Sequence, residues 1–292
     1  MIRLALQVRR AEAELVLAEL LELAPAGLEE VDIDAEIVEY ALYGNASELP
    51  AEHELRTVAG AALVAIHSRE IADDWADRWR DFHKPLVLGQ RLSVRPPWEA
   101  PQSTDLELVI DPARAFGTGA HATTRLCLEA LLDLQVPDFV GTSPRTDTNI
   151  EAFNAIDLGC GSGVLAIAAA KLGWGPVLAL DYDQLAVDAT LENAGVNGVS
   201  ELVTVRRFDL TEAPAPAAPL LLANLLAPLL TQLAQKFSTE RIFRSEVIIL
   251  SGVLATEADR VCDEFAGKNY FEERRLTLGE WSACVLRDMY TR

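Results

Sequence analysis

From residue 104 to residue 266 short apolar runs alternate with helical segments, and this alternation limits the fold to a narrow class. The order reads strand 106–111, helix 121–134, strand 154–158, helix 163–172, strand 177–181, helix 184–195, strand 202–207, strand 220–224, helix 226–237, strand 246–251 and helix 255–266. Strands linked through helices run parallel, and helices then cover both faces of their sheet. Runs such as Leu220-Leu221-Leu222-Ala223 fit that burial, since they lack the polar alternation of a sheet wetted on one side. The end of the chain breaks the pattern. Segments 270–277 and 281–287 are joined by a tight turn at Gly279, which predicts an antiparallel hairpin at one edge of the sheet.

The first seventy residues follow a different plan. Residues 2–8 alternate through Ile2, Leu4, Leu6 and Val8 as a half-buried strand does. Residues 11–23 place Leu15, Ala18, Leu20 and Leu21 near helical spacing. Two short strands at 28–33 and 36–43, a helix at 48–57 and a strand at 61–67 complete the order β-α-β-β-α-β, the ferredoxin-like arrangement. Trp75, Trp79 and Phe82 then share one face of a short helix, and Pro85, Pro96, Pro97 and Pro101 punctuate a connector with one or two short strands. The expected domains are 1–72, a connecting helix and linker over 73–103, and 104–292. Residues 138–152 and the PAPAAP run at 214–219 read as surface loops.

Composition removes several classes of function. The 292-residue chain carries a net charge of −20, which repels nucleic acid and suits a neutral or basic partner. No run of eighteen uncharged apolar residues is present. The opening MIRLALQVRRAEAEL is broken by Arg3, Arg9, Arg10 and Glu12, unlike a secretion signal, so a cytoplasmic protein is expected. Cys127, Cys160, Cys262 and Cys284 form no C-x-x-C pair and flank no spaced His pair. Neither a disulfide framework nor a metal site is expected, and the four thiols read as buried or half-buried.

The chemistry gathers at strand ends. Asp157-Leu158-Gly159-Cys160-Gly161-Ser162-Gly163 follows a buried strand and opens a helix, where doubly wound sheets bind ligands. Taken alone this is a nucleotide-type glycine loop, and a nicotinamide-dependent oxidoreductase, a methyltransferase and a non-catalytic binding module all remain open. The spacing is G-x-G-x-G, with Val164 and Leu165 where a dinucleotide loop wants its third glycine. Asp181 ends the next strand, 22 residues after Gly159, where a carboxylate can accept both ribose hydroxyls. Asp157 beside the loop disfavours a pyrophosphate but tolerates a sulfonium and an ammonium. Adenosine with a cation and no diphosphate describes S-adenosylmethionine. Asn224, in Ala223-Asn224-Leu225-Leu226-Ala227-Pro228, ends a further strand at the same edge and offers a neutral donor and acceptor, for the cofactor's amino-acid end or for an attacking amine. A fourth element, Asp111 to Thr124, is glycine-bearing and leads into a helix. In it Phe116 can shield a cofactor and Thr124 can hydrogen-bond one, while His121 is a weak candidate for a general base.

These four elements together resemble the PrmA family, the methyltransferases of the eleventh large-subunit ribosomal protein. AFGTGAHATT is similar to the family's AFGTGTHPTT, and IDLGCGSGVLAIAAAKLG, LLLANLLAPL and SGVLATEADRVC follow in family order. DDWADRWRDFHKP, LGQRLSV and PPW resemble its hinge region, so the likeness runs from about residue 74 to the end. Ala120 and Ala122 stand where the family has Thr and Pro, and the 138–152 loop is longer than the family's. The resemblance implies a ferredoxin-like substrate-recognition domain ahead of a class I, Rossmann-like, seven-stranded methyltransferase domain of α/β type. It implies cofactor contacts at Thr124, Gly159, Gly161, Asp181 and Asn224, with Asn224 also the candidate for orienting the amine, and no metal. The implied activity is methylation of lysine, and of N-terminal amines, on a basic ribosomal protein of the stalk base. Charge and hydropathy lead one to expect no direct nucleic-acid or membrane contact, and a monomer is expected, although the sequence does not fix the oligomeric state. The alternative is a methyltransferase of the same fold that acts on another protein or a small molecule.

Overall fold

Alternation alone accounts for the first element. Ile2–Arg9 forms strand β1, with Leu4, Leu6 and Val8 buried. The computed structural model describes residues 2–23, 28–44, 48–70, 83–112, 121–134, 153–212, 218–237 and 245–290. The Trp75–Trp79–Phe82 face, Phe116, the whole 138–152 loop and the first four residues of the PAPAAP run lie outside them. Helix α1 (Ala13–Leu23) buries Val16, Leu17 and Leu20. Leu15, expected on that inner face, is 59% exposed, and the side chains of Ala18 and Leu21 lie outside the described set. The buried positions Ala13, Val16, Leu17 and Leu20 stand at i, i+3, i+4 and i+7, a different face from the one centred on Leu15. Strands β2 (Glu29–Asp32) and β3 (Ile37–Gly44), helix α2 (Glu52–Ala59) and strand β4 (Leu63–Glu70) follow. The four strands form one antiparallel sheet in the order β2-β3-β1-β4. The Tyr40 hydroxyl donates to the Ala13 carbonyl at 3.0 Å, tying β3 to the start of α1.

The chain divides into two units, Met1–His83 and Lys84–Arg292. The second begins with strands β5 (Leu86–Leu88), β6 (Leu92–Arg95) and β7 (Leu106–Val109), a small sheet in that order. Two expectations change here. The strand read at 106–111 does not join the large sheet; its ladder is spent on β6, to which it runs parallel. The stretch read as a connector is also folded onto the second unit. Leu88, Leu92, Val94, Leu108 and Ile110 share a core with Leu128, Leu131 and Ala155, and apolar side chains packed this way leave no free linker over those residues.

The remaining elements are α3 (Ala122–Leu132), β8 (Ala155–Leu158), α4 (Val164–Ala169), β9 (Val177–Asp181), α5 (Gln184–Val196), β10 (Val203–Arg207), β11 (Leu220–Asn224), α6 (Ala227–Lys236), β12 (Val247–Leu254), α7 (Ala258–Ala266), β13 (Tyr270–Leu278) and β14 (Trp281–Asp288). They build a seven-stranded sheet in the order β10-β9-β8-β11-β12-β14-β13. The first five strands are parallel, and β14 pairs antiparallel with both β12 and β13. Leu220, Leu222, Val247 and Ile249 pack with α3 and α4 on one face. Leu221, Ala223, Ile248 and Leu250 pack with α6 and α7 on the other. A strand buried on both faces has no solvent side to keep polar, which explains the unbroken apolar runs. The chain moves outward from β8 through β9 to β10 and returns to lay β11 against the other side of β8. That reversal opens a crevice at the carboxyl ends of β8 and β11, where such sheets place ligands. Among the described residues no helix is long and apolar enough to cross a membrane.

Candidate active site

Residues after β8 turn back over the end of β9. The N–H groups of Gly159 and Cys160 both donate to the Leu180 carbonyl, at 2.8 and 3.0 Å, and Gly163 N–H closes the turn onto the Cys160 carbonyl at 2.7 Å. Gly159 has φ +75°, and a Cβ there would lie 2.4 Å from Leu225 Cδ2. The positive φ favours glycine at that position, and a Cβ would also displace the end of the Leu225 side chain. The same contact joins the loop after β8 to the loop after β11.

Asp181, at the tip of β9, is 8% exposed. One of its carboxylate oxygens accepts the Gly161 N–H at 2.9 Å and the other the Asp183 N–H at 3.0 Å. Burial raises its pKa, with those N–H donors partly offsetting the effect. Each oxygen retains a lone pair for a further donor. Asp157 is 1% exposed and accepts the Ala166 N–H at 2.9 Å, at Oδ2; among the described residues its buried Oδ1 has no partner. Burial pushes the Asp157 carboxyl up to about 7, opposed by the Ala166 N–H and reinforced by the nearby Asp181 charge. The Asp181 carboxylate, with Asp157 buried nearby, favours positive charge at this end of the crevice.

The other half is built on β11 and α3. Asn224 ends β11 opposite Ser251, and its Nδ2 lies 3.5 Å from the Oγ1 of Thr124, which is fully buried. Ser251 Oγ sits 3.2 Å from the Thr123 carbonyl and 3.1 Å from that of Ser282, fixing the first turn of α3 against β12 and β14. His121 caps α3. Its Nδ1 lies 2.8 Å from Thr123 Oγ1, and its ring meets Trp281 edge-on at 5.1 Å. Burial lowers its pKa to about 4, so the ring is neutral at neutral pH, with Nδ1 occupied by the cap. That arrangement positions Thr124 and leaves a poor base.

Two residues that the sequence reading passed over hold the glycine loop. Thr190 Oγ1 donates to the Gly161 carbonyl and Asn193 Nδ2 to the Ser162 carbonyl, both at 2.9 Å. Asn193 Oδ1 also accepts the Asp111 N–H at 3.0 Å, and Asn197, one turn on, pairs with both backbone groups of Val109. Helix α5 therefore fixes the glycine loop and the start of the Asp111–Thr124 segment together. The signal was the i, i+4 pair of asparagines in ENAGVNG, since amides on one helix face suit backbone docking.

A family model described as ribosomal protein L11 methyltransferase (PrmA) matches residues 9–289. The chain belongs to the ribosomal protein L11 methyltransferase family. Relatives of that name include one from Heliobacterium modesticaldum, 39% identical over 74% of this chain and 64% of the relative. Another, from Syntrophotalea carbinolica, is 40% identical over 76% of this chain and 69% of the relative. The matched part thus spans about two thirds of each relative's length. A solved structure described as ribosomal protein L11 methylase from Lactobacillus delbrueckii subsp. bulgaricus superposes with a TM-score of 0.57 at 24% identity. It covers 71% of this chain and 99% of that one, a likeness of fold. In this member of the L11 methyltransferase family Gly159, Gly161 and Asp181 stand together, as do Thr124 and Asn224, and the two groups meet where Leu225 reaches Gly159.

Proposed function

We propose that this chain transfers methyl groups from S-adenosylmethionine to lysine and N-terminal amines of ribosomal protein L11 in the cytoplasm. The observation that carries the reading is the convergence of Asp181, the Gly159–Gly163 turn and Asn224 at one crevice of a chain of this family. The crevice fits the cofactor on its own chemistry: both Asp181 oxygens keep a lone pair for hydroxyl donors beside the glycine turn, and among the described residues the buried Oδ1 of Asp157 has no donor. When bound, S-adenosylmethionine supplies a methyl group on a positively charged sulfur. Asp181 accepts the ribose hydroxyls, the glycine turn carries the methionine portion, and Thr124 and Asn224 border its amino-acid end. A lysine amine, with an ordinary pKa of about 10.4, must lose its proton before it attacks, and exclusion of water from the crevice favours that loss. Asn224 orients the amine through its carbonyl oxygen. Alignment is the main catalytic contribution, worth up to roughly 7–11 kcal/mol in well-oriented cases.

Asn224→Ala is expected to lower kcat at least tenfold with the unfolding temperature unchanged. Near-normal turnover on purified L11 would remove Asn224 from the reaction.

The first unit is a ferredoxin-like recognition domain in this reading. Its order β-α-β-β-α-β and its charge support the assignment, since residues 1–70 hold 14 acidic and 5 basic side chains. Such a field speeds the approach of a basic protein. Removal of residues 1–70 is expected to abolish methylation of L11 while S-adenosylhomocysteine binding stays within a few fold of the full chain. Unchanged L11 methylation would refute the docking role, and a labelled band other than L11 in cell extract would favour a different substrate.

A further inference from the structure

Cys262 on α7, Cys284 on β14 and Glu272 on β13 are 22 and 10 residues apart in sequence, but their ligand atoms all lie within 4.8 Å of one another. The strand geometry brings them together. Cys284 and Leu286 point toward α7, as their place in the α6–α7 core requires. On β13, Glu272 pairs with Leu286, and after a register shift Arg275 pairs with Cys284. Residues three apart on a strand normally face opposite ways. The bulge between Glu272 and Arg274 puts Glu272 and Arg275 on the same face, beside both thiols. Cys284 is 1% exposed and Cys262 9%, and Glu272 opens the cluster to solvent.

We propose that Cys262, Cys284 and Glu272 form a binding site for a soft divalent cation of the zinc class, separate from the methyl-transfer crevice. Two thiolates and one carboxylate are donors that zinc accepts at about 2.3 and 2.0–2.2 Å. In a tetrahedral set such ligands sit about 3.3–3.8 Å apart. The donor atoms already lie within 4.8 Å of one another, so reaching that spacing needs at most about 1.5 Å of movement. A fourth position faces water. Three anionic ligands around a divalent ion leave one negative charge. Arg275 balances it: its guanidinium donates twice to Glu272 at 2.7 Å and lies 4.0 Å from Cys262 Sγ, with Asp259 at 2.7 Å on its far side. Binding releases the thiol protons to solvent, so affinity rises with pH.

Cobalt(II) titrated into the reduced, purified full chain tests the site. One equivalent is expected to bind with a thiolate-to-cobalt charge-transfer band, and zinc(II) should displace it. Cys262→Ser and Cys284→Ser should each remove the band, and Glu272→Gln, at a solvent-facing position, should weaken binding at least tenfold while the chain stays folded. Absence of the band in the wild-type chain overturns the proposal, as does a band that survives in the double Cys262→Ser/Cys284→Ser variant. Should the serine variants fail to fold, alkylation of the wild-type chain decides: zinc(II) must slow labelling of Cys262, and an unchanged rate overturns the site.

Discussion

Asp181→Ala is expected to weaken binding of S-adenosylmethionine and of S-adenosylhomocysteine by at least a hundredfold, with little change in far-ultraviolet circular dichroism. The carboxylate already accepts the Gly161 and Asp183 N–H groups and has lone pairs left for the two ribose hydroxyls. Hydrogen bonds to a charged acceptor contribute about 1.5–3 kcal/mol each. Loss of two therefore removes roughly 3–6 kcal/mol, and each 1.4 kcal/mol is a factor of ten in affinity. The truncation also leaves the Gly161 N–H without its acceptor, which loosens the turn that carries the methionine portion. Asp181→Asn should recover little, because its amide nitrogen would face either a ribose hydroxyl or one of the two N–H donors. Calorimetric titration measures this directly. A dissociation constant within threefold of wild type would mean that the adenosine lies elsewhere, and the assignment of the crevice would fall with it.

Much of this site was legible in the sequence because its residues sit at strand ends, and strand ends are read from local apolar periodicity. Asp181 and Asn224 close β9 and β11 where the apolar runs stop. Contacts that hold the loops were not legible in that way. Asn193 reaches Asp111 and Ser162 across 82 and 31 residues, and no local pattern encodes such a pairing. Leu15 illustrates a second limit: in a helix with apolar residues on most sides, spacing does not say which face meets the sheet. The strand at 106–109 shows a third, since an apolar run fixes a strand but not the partner that completes its ladder. The Cys262–Glu272–Cys284 cluster was hidden for a related reason. Motif spacing captures ligands on adjacent turns, whereas these three come from a helix and two strands, one of them bulged. Gly252 did carry a signal. A glycine inside VIILSGVL marks a bulge or a close backbone approach, yet the strand was expected to stop at 251 and instead continues to Leu254.

That glycine sets the second large effect. Gly252→Ala is expected to destabilise the chain by roughly 3–5 kcal/mol, and Gly198→Ala by only about 1–2 kcal/mol. Both glycines have positive φ, +81° and +69°, so both alanines incur the backbone cost of the left-handed region. Their surroundings differ. A Cβ at Gly198 meets nothing within 4 Å, whereas one at Gly252 would lie 2.5 Å from the Leu225 carbonyl oxygen, 2.8 Å from its carbon and 3.0 Å from its nitrogen. These are backbone atoms and cannot rotate aside, so the main chain at Leu225 must move. Leu225 N–H donates to the Ser251 carbonyl at 3.0 Å, Asn224 precedes it, and its side chain occupies the space next to Gly159. The displacement therefore reaches both halves of the crevice, and cofactor binding should weaken along with stability. Against a total stability of about 5–15 kcal/mol, the loss lowers the unfolding temperature by roughly 10 °C. Thermal unfolding of the two variants side by side separates the causes, since their difference isolates the clash from the backbone strain they share. Equal losses in the two variants would show that Leu225 yields freely, and its backbone would then not be what fixes Asn224 opposite Thr124.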